Sequence, residues 1–261
     1  MRLDKYLSET SVGRRKEVRI YIKEGKVSVN NEVVLIPAQE VDEENDRIEY
    51  LGQEVAHNGK QYYMFYKPRG CITARKDQKH KTILDYFTEM NTDSLFPVGR
   101  LDKDTEGLLF LTNDGEFNHQ LMYPDQHVEK NYYFWAFGTL NQEQISQLES
   151  GICIRDNEPV TKPAKIEIMR TGLYCDLKRE LQEFDYEKIE INKQNQNILE
   201  GLITISEGRK HQVRRMLRAS GCYVVYLKRI SIGTVGLDET LQKGQYREMT
   251  REEVTRLKNG G

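Results

Sequence analysis

The stretch from Phe96 to Gly115, FPVGRLDKDTEGLLFLTNDG, sets a charged segment between two glycines and follows it with the apolar run Leu108–Leu111. An apolar run of this length beside a glycine-bounded turn is typical of a buried strand. The charged segment is therefore predicted to be a loop held close to a core. A solvated loop would explain the charge but not the placement, so a site and a plain surface loop both stay open on these residues alone.

A second buried strand is predicted upstream, at Tyr62–Tyr66, with the sequence YYMFY. It ends at Lys67–Gly70, KPRG, a turn that a central strand or a helix could not accommodate because proline lacks a donor N–H.

Two further segments stand out downstream. Residues 127–133, HVEKNYY, open another strand, although an aromatic side chain such as Tyr132 more often packs in a core than serves a site. At 202–217 a strand ends at Glu207 and Gly208, and a helix follows. The helix is predicted to turn one apolar and one basic face. The apolar positions are Val213, Met216 and Leu217, and the basic ones are His211, Arg214, Arg215 and Arg218.

The amino-terminal residues form a small basic unit. Leu3, Tyr6 and Leu7 predict a short helix, and a second helix follows the turn at 11–13, where Ser11 or Gly13 could cap it. Gly25 ends that helix, and 27–35 is predicted to form a hairpin turning at 30–31. Residues 1–29 carry eight basic and four acidic side chains, a net charge of +4. One face of the second helix bears Arg15, Arg19 and Lys23, with Lys16 beside them.

Composition bounds the class of protein. The 261 residues suffice for two modest domains, and the formal net charge of −2 does not by itself indicate a nucleic-acid partner. The four cysteines are widely spaced, which argues against a structural zinc and a disulfide scaffold and predicts reduced thiols. No apolar run approaches the roughly 20 residues of a membrane span. We expect a cytoplasmic protein without a membrane partner.

The segment 99–115, GRLDKDTEGLLFLTNDG, is similar to the catalytic motif of the pseudouridine synthases. The resemblance continues in Lys130–Tyr132 and in 202–217, and it spans about residues 1–255. It implies that Asp102 is the essential aspartate, Tyr132 the active-site tyrosine and Arg214 the basic partner that forms an ion pair with Asp102. It also implies a reaction that needs no cofactor and no metal, and no phosphate loop or dinucleotide motif is present.

The first 50 residues resemble the S4 RNA-binding domain, through RLDKYL at 2–7, RRKE at 14–17 and GKVSVN at 25–30. This resemblance implies an RNA partner. The alternative to RNA binding is that the basic face of the second helix is an ordinary solvent-exposed surface. The residues expected to contact RNA are Arg14, Arg15, Lys16, Arg19 and Lys23 in this module and Arg100, Arg209, His211, Gln212, Arg215 and Arg218 beyond it.

Together these features predict an α+β fold. We expect an S4 domain at 1–55, a linker around 52–60, and a catalytic domain at 60–261 with a mixed, mainly antiparallel sheet. Residues 171–196 exceed what the family needs and are predicted to be a peripheral insertion without an assigned role. A monomer is expected.

The predicted substrate is ribosomal RNA. Segments 63–70, 160–164 and 244–250 look most like the branch that acts on small-subunit 16S rRNA, with the large-subunit 23S branch as the alternative. A non-catalytic RNA-binding factor and a glycosidase are weaker alternatives. The former has no need of all three predicted catalytic residues, and the latter would need Asp104 or Glu106 as a second carboxylate against Asp102.

Overall fold

The computed structural model describes residues 1–10, 12–43, 45–55, 59–123, 126–182 and 195–260, without the side chains of 180–182. Helices α1 (Leu3–Glu9) and α2 (Arg15–Lys23) come first. They are followed by β1 (Val27–Val29), β2 (Glu32–Val33), β3 (Ile48–Tyr50) and β4 (Gln53–Glu54). The four strands form one sheet in the order β2-β1-β3-β4.

The amino-terminal module has its own core, because Leu3, Leu7, Val18, Ile22 and Ile48 are fully or almost fully buried against one another. The hairpin between β1 and β2 turns where predicted, and both of its asparagines have positive φ, which asparagine tolerates well.

Three details of the module differ from the prediction. The N-cap residue of α2 is Arg14, not Gly13, and its backbone N–H donates to the Glu17 carboxylate. Ser11, the other predicted cap, lies outside the described residues. The return strand is Glu32–Val33, shorter than the predicted 33–35. The predicted linker begins inside a hairpin, because β4 pairs with β3 through Tyr50 and Gln53. Within the predicted linker, residues 56–58 lie outside the described residues.

The remaining elements build a nine-stranded sheet. Its strands are β5 (Tyr62–Lys67), β6 (Phe96–Val98), β7 (Glu106–Thr112), β8 (Lys130–Phe137), β9 (Lys165–Leu173), β10 (Asn197–Ile205), β11 (Tyr223–Ile232), β12 (Val235–Gly236) and β13 (Tyr246–Glu248). The helices are α3 (Gly115–Met122), α4 (Gln142–Ser150), α5 (Tyr174–Gln182), α6 (Gln212–Ala219) and α7 (Arg251–Lys258). A short 3-10 helix, Leu84–Tyr86, precedes β6.

The strand order is β13-β5-β7-β11-β8-β10-β9, with β6 on β7 and β12 on β11. The pairing of β7 with β11 is parallel, while the other strand pairs are antiparallel. The predicted mixed, mainly antiparallel sheet is thus confirmed. In the described ranges, none of the helices combines the length and apolarity needed to cross a bilayer.

The sheet buries side chains on both faces. On the first face, Tyr132 and Phe134 of β8 pack in one cluster with Val213, Met216 and Leu217 of α6. On the second face, Trp135 packs with Tyr226 and with Tyr174 of α5. The first part of the predicted peripheral insertion lies at the edge of the sheet, where 171–173 complete β9 and Tyr174 is buried, and its status as an insertion stays a prediction. Residues 183–194 lie outside the described residues.

The two domains touch through an ion pair. The ammonium of Lys5 in α1 lies 3.0 Å from the carboxylate of Glu116 in α3.

Candidate active site

The charged segment of the motif is a loop, residues 99–105, between β6 and β7. Its backbone is fixed at Leu101, whose carbonyl accepts from the Thr73 hydroxyl at 2.7 Å and whose N–H donates back to that oxygen at 3.1 Å. Within the loop, the N–H of Thr105 donates to the carbonyl of Asp102 at 3.1 Å. Gly107, the second residue of β7, has positive φ, and a side chain there would strike the backbone of Arg229 on β11. The loop is therefore tied to the sheet on both sides of Asp102.

Lys67, the last residue of β5, holds the same loop from inside. Its side chain is fully buried, and its ammonium donates to the carbonyl oxygens of Thr105 at 2.9 Å, Pro68 at 3.0 Å and Lys103 at 3.4 Å. An ammonium has three protons, so these carbonyls satisfy it. Burial lowers the pKa of Lys67, while the nearby carboxylates of Asp102, Glu106 and Asp104 oppose that shift. The lysine is a buried brace for the loop that carries Asp102.

Asp102 reaches the surface from this fixed backbone. Its side chain is 31% exposed, and its Oδ1 lies 3.4 Å from Nε2 of His211, which is 51% exposed. This contact is an ion pair only when the imidazole is protonated. The structure brings His211 to the candidate catalytic carboxylate, and its predicted RNA contact stays a prediction.

Arg214, one turn along α6, also reaches the loop. Its guanidinium donates to the carbonyl oxygen of Asp104 at 3.1 Å and to that of Val224 at 3.2 Å. Arg214 therefore lies beside the catalytic loop. The ion pair between its guanidinium and the Asp102 carboxylate stays a prediction.

Tyr132 lies on β8, 8% exposed, in the same cluster as Leu101, the residue before Asp102. It pairs in register with Ile203 on one side and Arg229 on the other. By contrast Glu106 is buried, with its carboxylate bonded to Tyr226 and Lys243. Glu106 is thus not available as the second carboxylate that a glycosidase would need.

The prediction for α6 is correct for its apolar face but wrong for Gln212. Its apolar side is confirmed, since Val213, Met216 and Leu217 are buried. The RNA contact predicted for Gln212 is wrong: the side chain is 4% exposed, and its amide bonds to Glu207 and to the backbone N–H of Arg209.

Two arginines near that helix are also engaged within the protein. Arg209 donates to Glu207 and to the carbonyls of Pro159 and Val160. Arg215 donates to the carbonyls of Lys210 and Ile154 and to Glu158. These bonds hold the loop at 151–164 against α6, and RNA contacts by the two residues stay predictions. Arg218 and Arg100 are exposed.

The arginines of the S4 module converge on one buried acid. The Asp4 side chain is fully buried and pairs with Arg19 at 2.7 Å, Arg2 at 3.0 Å and Arg15 at 3.1 Å. Burial alone would raise the pKa of Asp4, but the hydrogen bonds from Arg15, Arg19 and Arg2 outweigh it and lower the pKa to about 2. Arg14, Arg15, Lys16, Arg19 and Lys23 are all exposed, as the predicted surface requires.

Sequence reasoning missed three residues that organise the site: Lys67, Thr73 and Asp4. A lysine that closes an apolar strand directly before proline was a usable signal for Lys67, because such a side chain has no route to solvent along the strand. Thr73 and Asp4 gave no comparable signal, since their partners lie far away in the chain or on another helix.

A fold with an S4-like module and an aspartate-bearing loop on a mixed sheet defines an RNA-modifying enzyme. Residues 61–219 match the family model described as RNA pseudouridylate synthase, and residues 1–48 match the S4 domain. The chain belongs to the RNA pseudouridine synthase family, whose members are isomerases.

Relatives cover nearly the whole chain. An uncharacterized RNA pseudouridine synthase of Bacillus subtilis, YtzG, is 38% identical over 97% of each chain. The ribosomal small subunit pseudouridine synthase A of Vibrio vulnificus is 34% identical over 97% of this chain and 98% of its own. The ribosomal large subunit pseudouridine synthase B of Bacillus subtilis is 36% identical over 98% and 95%. A crystal structure of a pseudouridylate synthase is 32% identical, with a TM-score of 0.64, covering 98% of this chain and 99% of that one.

Proposed function

We propose that this enzyme isomerises a uridine of ribosomal RNA, in the small-subunit 16S rRNA, with Asp102 as its catalytic carboxylate. The support for the substrate is the likeness to relatives named as small-subunit enzymes, among them that of Vibrio vulnificus. The large-subunit 23S rRNA is the second candidate, supported by the Bacillus subtilis relative named for that subunit.

The reaction needs few groups. The bond between N1 of uracil and C1′ of the ribose breaks, the base turns, and C5 bonds to C1′ while its proton leaves and N1 gains one. No atom is added or lost overall, so no co-reactant is consumed. A carboxylate suits this task, because it can attack as a nucleophile, accept a proton or stabilise positive charge on the sugar.

One observation supports the assignment of Asp102 as the catalytic carboxylate: the carboxylate is accessible, while hydrogen bonds hold the backbone on both sides of it. Asp102 is 31% exposed, while Leu101 and Thr105 on either side are held by Thr73 and Lys67. A reacting group held in a fixed position avoids the entropic cost of orienting it in each turnover.

The other parts of the site take supporting roles in this proposal. Tyr132 offers a ring on which the uracil stacks and a hydroxyl for a proton step, and Arg214 braces the catalytic loop. The target uridine leaves its stack to reach Asp102, which costs a few kcal/mol. Phosphate contacts from the S4 module and from Arg100 and Arg218 offset that cost.

The proposal divides the chain into an RNA-binding domain at 1–55 and a catalytic domain at 60–261, acting as a monomer in the cytoplasm. The S4 match at 1–48 and the catalytic match at 61–219 fit this division.

The test is a map of carbodiimide-reactive pseudouridines in ribosomal RNA. Cells that have the protein, cells that lack it and cells that carry only Asp102→Asn are compared. Loss of one 16S site in the last two strains, with RNA affinity of the purified variant within about threefold of wild type, supports the proposal. Loss of a 23S site establishes the second candidate, and an unchanged map overturns both.

A further inference from the structure

His211 occupies an unusual backbone position. It precedes α6 with φ of 54° and ψ of 31°, in the left-handed region, and its side chain makes no hydrogen bond that caps the helix. Histidine enters this region more readily than most residues, but a non-glycine residue there still signals a local constraint. The turn before the helix is held by its neighbour, since the Gln212 side-chain oxygen accepts from the Arg209 N–H at 2.8 Å.

This conformation has a visible result at the site. The imidazole leaves the helix and places Nε2 3.4 Å from Oδ1 of Asp102. That distance is long for a hydrogen bond but within the roughly 4 Å of an ion pair, and catalytic contacts often tighten only when a substrate is bound.

We propose that His211 is a positioning residue for Asp102: its protonated imidazole donates Nε2–H to the carboxylate and fixes the orientation from which the carboxylate meets the ribose. This inference rests on the proposed role of Asp102, and it replaces the RNA contact expected for His211. Arg214 and Lys67 hold the backbone of the loop at Asp104 and Thr105, whereas His211 approaches the carboxylate of the Asp102 side chain itself.

Several charged groups face this pair. Lys103 and Asp104 belong to the loop, Arg214 approaches from α6, and the buried Lys67 acts from β5. His80 is a second imidazole near the loop, with its Nδ1 3.4 Å from the Lys103 ammonium. Variants at position 211 are therefore compared at equal pH.

The experiment uses the full-length enzyme and an RNA fragment that carries the target uridine. Three variants are compared with wild type: His211→Asn, His211→Lys and Arg218→Gln. Asparagine accepts positive φ, so it keeps the helix start, but its amide is too short to reach Oδ1. Lysine keeps the reach and a charge that persists above pH 8. Arg218→Gln shows the effect of losing a charge of α6 that is assigned to binding.

Saturated turnover and RNA dissociation constant are measured separately between about pH 6 and pH 8.5. We expect His211→Asn to lower saturated turnover about tenfold or more, with affinity within about threefold of wild type. We expect His211→Lys to recover most of the lost rate and its rate relative to wild type to rise with pH, because an ammonium keeps its charge across this range. A residue with a purely structural role would show no such rise.

Two outcomes overturn the inference. One is normal saturated turnover in His211→Asn with weakened affinity, which returns His211 to RNA binding. The other is equal, pH-independent rates in the Asn and Lys variants. A failure of the proposed function would give a different result. The saturated turnover of Asp102→Asn would then equal that of wild type, independently of the rates of the position 211 variants.

Discussion

The ammonium of Lys67 lies 2.9 Å from the carbonyl oxygen of Thr105, in the interior and close behind the loop that carries Asp102. This bond joins the end of β5 to the start of β7 and leaves the Asp102 side chain outside. A charged group is costly to bury. The buried ammonium of Lys67 therefore indicates that the loop needs a hydrogen-bond donor, which an apolar side chain could not supply.

Lys67→Met should therefore damage turnover more than binding. Methionine fills a similar volume but leaves three carbonyl oxygens without their donor, which should lower the free energy of unfolding by about 1–3 kcal/mol. We expect saturated turnover to fall and RNA affinity to hold. The control is Lys228→Met, because Lys228 stacks over Tyr66 at 4.7 Å and bonds to no part of the loop. Equal turnover in the two variants would contradict the bracing role.

Much of this architecture was predictable from local sequence. The glycines, the apolar run Leu108–Leu111 and the turn after Tyr66 each act within a few residues, and their loop and strands appear as predicted. The helix α3 was not predicted, although Asp114 caps it through the N–H groups of Glu116 and Phe117. Its Asn-Asp-Gly start favours a turn equally well, so only the packing of Phe117 and Leu121 decides between them.

The partners of charged side chains were less predictable. The basic face of α6 follows from its period, yet Gln212 is buried and Arg209 and Arg215 are bonded to the loop at 151–164. That loop is distant from α6 in sequence. Helical periodicity predicts which side chains share a face, but not which of several arginines bonds to a distant loop. The same holds for Asp4, which pairs with Arg2 and with two arginines of α2.

Asp4→Asn should make the amino-terminal module less dependent on pH. The folded pKa of Asp4 is about 2, below its unfolded value near 3.8, so its carboxylate stabilises the fold above pH 4. This contribution, on the order of 2 kcal/mol, is lost as the pH falls from about 4 to about 2. Urea unfolding at pH 6 and pH 2.5 should show a smaller loss in Asp4→Asn than in wild type. Glu43→Gln, an exposed change in the same module, should behave as wild type, and an identical acid response in Asp4→Asn would refute the arrangement.

The exposed lysines of α2 test whether the module binds RNA. Arg15 and Arg19 also neutralise Asp4, so their replacement would disturb the fold, whereas Lys16 and Lys23 are exposed. Lys16→Gln with Lys23→Gln should raise the dissociation constant and reduce the salt dependence by about two units of slope. Turnover at saturating RNA should persist. Arg251→Gln with Arg256→Gln on α7 is the matched control, and an unchanged salt slope in the lysine pair would mean a solvated face.

Tyr132→Phe separates the ring from the hydroxyl. Phenylalanine keeps the buried ring of β8 and its packing beside Leu101, so the stability and the stacking contact should persist. We expect turnover at saturating RNA to fall much more than affinity, because only the proton step is lost. Single-turnover rates and binding are measured on the same RNA. Parallel losses in both would indicate that the tyrosine is structural.

Arg214 and Arg218 share a helix and a charge, but the structure gives them different surroundings. The guanidinium of Arg214 donates to the carbonyl of Asp104, two positions after Asp102, and to that of Val224, whereas Arg218 is exposed. Arg214→Gln should therefore lower turnover even when RNA is saturating, since glutamine is too short to bridge the loop and β11. Arg218→Gln should mainly raise the dissociation constant and leave saturated turnover near wild type, because a lost phosphate contact weakens all complexes alike. Both parameters are measured at two salt concentrations, and only the Arg218 variant should show a flatter salt response. An Arg214→Gln enzyme with normal saturated turnover would show that α6 binds RNA without shaping the catalytic loop.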